Sequence, residues 1–108
     1  MTEDDLLAFI ATSIGSVWVL ELLLLLRRDP VRGWEAGALV RELRSSPIVI
    51  QDALARLRAA GLMARDAMGM CRYHAASPRL DRLASELEAA YAARPMTVIN
   101  AIVAARPD

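Results

Sequence analysis

Pro47 to Arg65, PIVIQDALARLRAAGLMAR, is the stretch whose reading decides the fold. Ile50, Leu54 and Leu57 recur at helical spacing, so the segment predicts a helix with one inward apolar stripe. Ser45-Ser46-Pro47 opens it: Ser46 is placed to cap the first free N–H groups, and Pro47 sits where its missing N–H is harmless. Gly61 closes it, because glycine accepts the left-handed conformation that ends many helices. The period then changes. Leu62–Arg65 and Cys71–His74 are two short runs around Asp66-Ala67-Met68-Gly69-Met70, which predicts a small β-hairpin turning at Gly69.

Working upstream, a helix is predicted from Trp34 or Glu35 to Arg44, with Ala38, Leu39 and Leu43 on one face and Arg41, Glu42 and Arg44 mostly on the other. Asp29-Pro30 ends the helix before it, since a residue preceding proline avoids the helical region. That earlier helix runs from about Val17 to Arg28, and another, from about Glu3 to Ala11, opens on Thr2 and Asp5 in capping-box spacing. Downstream, Ser77-Pro78 repeats the Ser-Pro start. A helix follows through Leu80, Leu83, Leu87, Ala90 and Tyr91, and Pro95 kinks or restarts it before Val98, Ile99, Ile102 and Val103.

Composition agrees with one mainly helical domain. The chain has 108 residues, 56% of them apolar, and Ala and Leu alone fill 36 positions. That excludes a disordered chain, and a single Cys and a single His exclude a disulfide framework or a zinc ribbon. All 13 basic residues are Arg, and 13 acids balance them, so any grip on nucleic acid must come from a local patch. Residues 34–76 hold six Arg against four acids.

Leu6–Leu26 has the length of a membrane span, with Arg27 and Arg28 as a basic flank. Against a span stand Glu21 within the run and Thr12, Ser13, Gly15 and Ser16, which read as a break between two helices. Glu3, Asp4 and Asp5 stand where a signal peptide needs basic residues. A cytoplasmic protein is expected, with a single-span membrane protein as the disfavoured alternative.

The order helix, helix, turn, helix, Gly-Leu, hairpin, helix is the layout of a winged helix-turn-helix. Ala38–His74 resembles the DNA-binding core of bacterial regulators of the MarR and ArsR kind, most closely at ALARLRAAGLMAR (Ala53–Arg65), through Leu54, Leu57, Gly61 and Leu62. By its strings VWVLELLLLLRRDP and RPMTVINAI the whole chain is also similar to a bacterial winged-helix family to which no activity is attached. The resemblance implies a mainly α domain over residues 1–108. Residues 33–76 form the helix-turn-helix and its two-stranded wing, and 1–32 and 77–108 form flanking helices.

It also implies that the second helix of the pair enters the major groove of double-stranded DNA. Its outward stripe would be Ile48, Gln51, Asp52, Ala55 and Arg58. Gln51 suits an adenine edge, Ile48 a thymine methyl, and Asp52 a cytosine amine. Arg41 and Arg44 flank the turn, and Arg65 and Arg72 bracket the wing, in positions that suit phosphate contacts. The expected function is therefore a small DNA-binding transcriptional regulator, with no enzyme activity and no cofactor. The alternative is a winged-helix module that docks a protein partner through its wing or recognition helix. That alternative draws on the neutral stripe, the zero net charge and the Met-bearing wing.

Other constellations are weaker. Cys71-x-x-His74 places its two side chains on opposite faces of a strand, so it makes no metal site. His74, Ser77 and Asp81 read as a strand end, a helix cap and a first-turn acid rather than a catalytic set. Trp18 is expected in the core, and Trp34 is expected to pack at a helix start. Met63, Met68 and Met70 cluster at the hairpin, and strand packing is the simplest use for them. Regulators of this size pair to read two half-sites, so a homodimer is expected on the terminal helices. Leu6, Phe9, Ile10, Val98, Ile99, Ile102 and Val103 are the candidate pairing residues, and the competing arrangement folds that stripe back onto its own first helix.

Overall fold

The computed structural model describes residues 2–105. Helix α1 (Glu3–Phe9) starts with the expected capping box: the Thr2 hydroxyl accepts from the Asp5 N–H, and the Asp5 carboxylate accepts from the Thr2 N–H. It runs on as one π-helical turn, Ile10–Ile14, which Gly15 closes at φ +73°. Ser16 then caps α2 (Val17–Arg28). The two helical segments meet at 102°, so the apolar run bends back on itself, and no single helix among the described residues is long and apolar enough to cross a membrane.

Most of α2 lies inside the protein, which explains its composition. Val19, Leu20, Leu22, Leu23, Leu25 and Leu26 are buried, as expected of a helix surrounded by others. Glu21 is half-buried and accepts a hydrogen bond from the Tyr91 hydroxyl at 3.0 Å, which fastens α2 to α5 (Pro78–Ala93). Trp18 departs from expectation. It occupies the first turn of α2, at the rim of a shallow hollow it shares with Val49 and Arg56, and is 41% exposed.

Helices α3 (Ala36–Leu43) and α4 (Pro47–Ala59) form the helix-turn-helix, with Leu39, Ile50, Ala53, Leu54 and Leu57 buried between them and α2. Strands β1 (Met63–Arg65) and β2 (Cys71–Tyr73) pair antiparallel, with Ala64 opposite Arg72, as the expected two-stranded wing. Trp34 does not open α3. Its N–H and C=O exchange hydrogen bonds of 2.8 Å with Cys71, so it adds one bridging residue to the edge of the wing sheet, and its ring is buried under the Arg32 guanidinium. The fold is thus mainly α, a helix-turn-helix followed by a hairpin wing, with extra helices before and after.

Both helices of the pair end in the same way. At the end of α4, the Gly61 N–H donates to the Arg58 carbonyl and the Leu62 N–H to the Leu57 carbonyl. At the end of α3, the Arg44 N–H donates to Arg41 and the Ser45 N–H to Val40. This pair of hydrogen bonds satisfies carbonyls that the helix leaves free, and it needs a left-handed residue at its centre. In α4 that residue is Gly61 (φ +79°), and in α3 it is Arg44 (φ 53°).

The terminal helices correct the expected pairing surface. Helix α6 (Pro95–Ala104) folds back onto α5 and the π-helical turn, so Phe9, Ile10, Val98 and Ile102 are buried within the chain itself. They are core residues, not available to a second copy. Leu6 and Ile99 are half-buried, and Val103 is exposed.

Candidate functional site

The outward face of α4 follows from its inward one. With Ile50, Ala53, Leu54 and Leu57 fixed in the core, Ile48, Gln51, Asp52, Ala55 and Arg58 are all left exposed, Ile48 at 73%. Ser46 accepts from the Val49 N–H at 3.3 Å and holds the first turn. On one side of this face a groove of about 620 Å³ separates α4 from β1, with Gln51, Ala55, Arg58, Met63 and Arg65 along it. On the other side a hollow of about 300 Å³ between α3 and α4 includes Val40, Arg41, Pro47 and again Gln51. Gln51 therefore lies on the ridge between two concave surfaces. Asp52 departs from expectation: it lies on the far flank, in a separate hollow with Trp18, Val49 and Arg56.

The arginines of the helix-turn-helix and wing divide into two groups. Arg41, Arg44, Arg58 and Arg65 are exposed and make no ion pair among the described residues, although Arg65 donates to the Gly69 carbonyl at 3.2 Å. Arg72 belongs to the second group and corrects the expected phosphate contact. Its guanidinium is held by Asp66 at 2.7 Å and by the Val31 carbonyl at 2.8 Å, so its charge is neutralised while it ties the wing to the loop before Trp34. Arg56 donates to the carbonyls of Thr12 and Ser13 and so caps the π-helical turn. Arg27 joins Tyr73, Asp81 and Glu88 behind the wing.

Asp66 organises the wing, which the charge count alone did not show. One of its carboxylate oxygens accepts the N–H groups of Met68 (2.9 Å) and Met70 (3.0 Å), and the other binds Arg72. The hydrogen bond from Arg72 and then that from Met70 hold its carboxyl below the usual range. The signal was present in Asp66-Ala67-Met68-Gly69, since aspartate accepts from the backbone two residues on in such turns. The fixed turn leaves Met68 83% exposed at its tip, while Met63 is buried.

The remaining polar candidates serve the fold. Cys71 is fully buried, and burial pushes its thiol up, whereas His74 is exposed. Ser77 accepts from the Leu80 N–H as the cap of α5, and Asp81 accepts from the Tyr73 hydroxyl at 2.6 Å. Among the described residues no group of three His, Cys, Asp or Glu could hold a metal ion.

No protein-family model, curated protein or solved structure significantly matches this chain. What the face can do follows from its shape and charge. It offers a protruding helix with a neutral hydrogen-bonding ridge and four unpaired guanidinium groups around it. Such a surface complements an extended polyanion, whose phosphates meet the arginines while the ridge reaches between them.

Proposed function

We propose that this chain is a small winged-helix DNA-binding protein that regulates transcription, gripping double-stranded DNA with the α3–α4–β1 face. One observation carries the reading: Arg41, Arg44, Arg58 and Arg65 are exposed without an ion pair and gather around the helix-turn-helix, while Arg27, Arg56 and Arg72 are committed to structural partners. The main functional contribution is sequence-independent phosphate contact. Gln51 and Ile48 supply base discrimination, since no Arg occupies the first two turns of α4.

Binding of a fluorescent duplex across a salt series tests it. Four phosphate contacts give a log–log slope of about −3 to −4. Arg58→Glu with Arg65→Glu should weaken every duplex alike and flatten the slope, whereas Gln51→Ala should relax one base position. Retention that ignores both salt and charge reversal would sink the reading.

A second reading, docking of a protein partner through the same face, is favoured by the exposure of Ile48 and Met68. Loss of a partner on Ile48→Ser or Met68→Ser, with no DNA affinity in the wild type, would replace the first reading with this one.

A further inference from the structure

Two side chains leave their expected places for the same one. Trp18, expected in the core, and Asp52, expected on the DNA-facing stripe, both line the hollow of about 260 Å³ between the π-helical turn, the start of α2 and α4. Val49 and Ala53 add apolar lining, and Arg56 lies along its edge. Asp52 and Arg56 are four residues apart on α4, the spacing at which a carboxylate and a guanidinium commonly pair. They do not pair here. Arg56 is drawn instead to the carbonyls of Ser13 and Thr12 through Nε and Nη2, and a Cβ at Gly15 would lie 2.8 Å from that Nη2. Its Nη1 makes no hydrogen bond, and Asp52 no ion pair, among the described residues. The hollow therefore presents a negative and a positive group held apart, beside an exposed indole.

We propose that this hollow binds a free α-amino acid with an apolar or aromatic side chain. The ammonium group donates to Asp52, the carboxylate accepts from Nη1 of Arg56, and the side chain packs on the Trp18 ring and Val49. Charge selects this occupant. A simple cation would meet the like charge of Arg56, and a simple anion that of Asp52, whereas a zwitterion satisfies both. Size agrees, since the hollow is smaller than the usual site of a drug-sized ligand and suits about a dozen heavy atoms. Both charged groups are exposed, so the affinity belongs in the range of about 0.1 to 10 mM. The hollow lies on the far flank of α4 from the α4–β1 groove and stands as a site whether or not that face binds DNA.

The chain has two tryptophans, so a nitrogen–proton correlation spectrum of the full chain holds two indole N–H signals, and one of them reports on the hollow. With L-phenylalanine as the probe, titrated to about 20 mM, the Trp18 signal should shift and saturate while that of buried Trp34 stays in place. Trp18→Phe assigns the two signals. Asp52→Asn should weaken binding about fivefold and leave the helical circular dichroism unchanged, because Asp52 is exposed and outside the core. Phenethylamine and phenylpropionate each lack one of the two charges and should bind about fivefold more weakly than L-phenylalanine. The proposal fails if neither indole signal moves, if both move together, or if Asp52→Asn binds like the wild type. Equal binding of L-phenylalanine and the two analogues would overturn it as well, by showing an apolar cleft that does not read a zwitterion.

Discussion

Helices α3 and α4 end in the same hydrogen-bond pattern, one through Arg44 and the other through Gly61. Gly61 is what the fold alone would choose. A Cβ there would lie 3.0 Å from the Ala76 Cβ and 3.1 Å from a Leu80 methyl, and the left-handed backbone disfavours any side chain. Arg44 meets the same backbone requirement at a cost of about 1–2 kcal/mol, yet its side chain stands in solvent without an ion-pair partner. The strain therefore serves no packing contact of the Arg44 side chain, which is free to act at the surface as the proposed function requires. The same division runs through Arg58 and Arg56, two residues apart on α4: one is free, and the other caps the π-helical turn.

The largest way to break the comparison is to make the two ends alike. Gly61→Arg should destabilise by about 2–3 kcal/mol, adding crowding to left-handed strain, and lower Tm by about 15 °C in thermal melts. A fall of only a degree or two would show that the α4 end is not fixed by packing. The reverse change, Arg44→Gly, should raise stability by about 1 kcal/mol. On the proposed DNA-binding function, it should also reduce the salt slope of duplex binding by about 1. A more stable variant with unchanged binding would leave Arg44 without the role argued for it.

Arg56→Gln and Arg58→Gln sharpen the contrast at smaller scale. Loss of the Arg56 bonds to Thr12 and Ser13 should cost about 1 kcal/mol in denaturant unfolding, and Arg58→Gln should stay within about 0.5 kcal/mol of wild type. Behind the wing, Arg27, Tyr73 and Asp81 show the committed arrangement at its fullest. Burial, helped by the hydrogen bond to Asp81, pushes the Tyr73 hydroxyl up to about 12 from an ordinary value of 10.0. Folded Tyr73 keeps its proton where the unfolded chain releases it. Its contribution is thus fully present below pH 10 and is lost as pH rises toward 12. Tyr73→Phe should remove that part of the alkaline decline, and an unchanged decline would show that Tyr73 ionises freely.

Much of the fold was legible locally. Thr2, Ser46 and Ser77 cap their helices as their spacing to the next free N–H requires, and Gly61 and Gly69 take the left-handed conformations that end a helix and turn a hairpin. The presence of the hairpin and the outward face of α4 followed from the same short-range patterns. The site was legible as a set of exposed positions on α4, but not in which arginines remain free. Arg72 and Arg65 flank the same turn, and only the Val31 carbonyl, 41 residues away in sequence, together with Asp66, separates a structural cation from an available one.

By itself, then, the sequence determined where most of the helices begin, though not the start of α3, because caps and prolines act on backbone groups within a few residues. It also set which face of each helix is apolar. Tertiary structure alone decided which apolar faces are covered by which elements. Trp18 is turned out while Trp34 is bridged to Cys71 and buried, and Val98 and Ile102 enter the core while Met96 and Val103 stay outside it. Hydrophobic burial is non-directional, so an apolar stripe specifies only that it needs a partner. The partner is chosen by how the helices pack, and here that follows from the 102° turn at Gly15 and the return of α6 onto the π-helical turn.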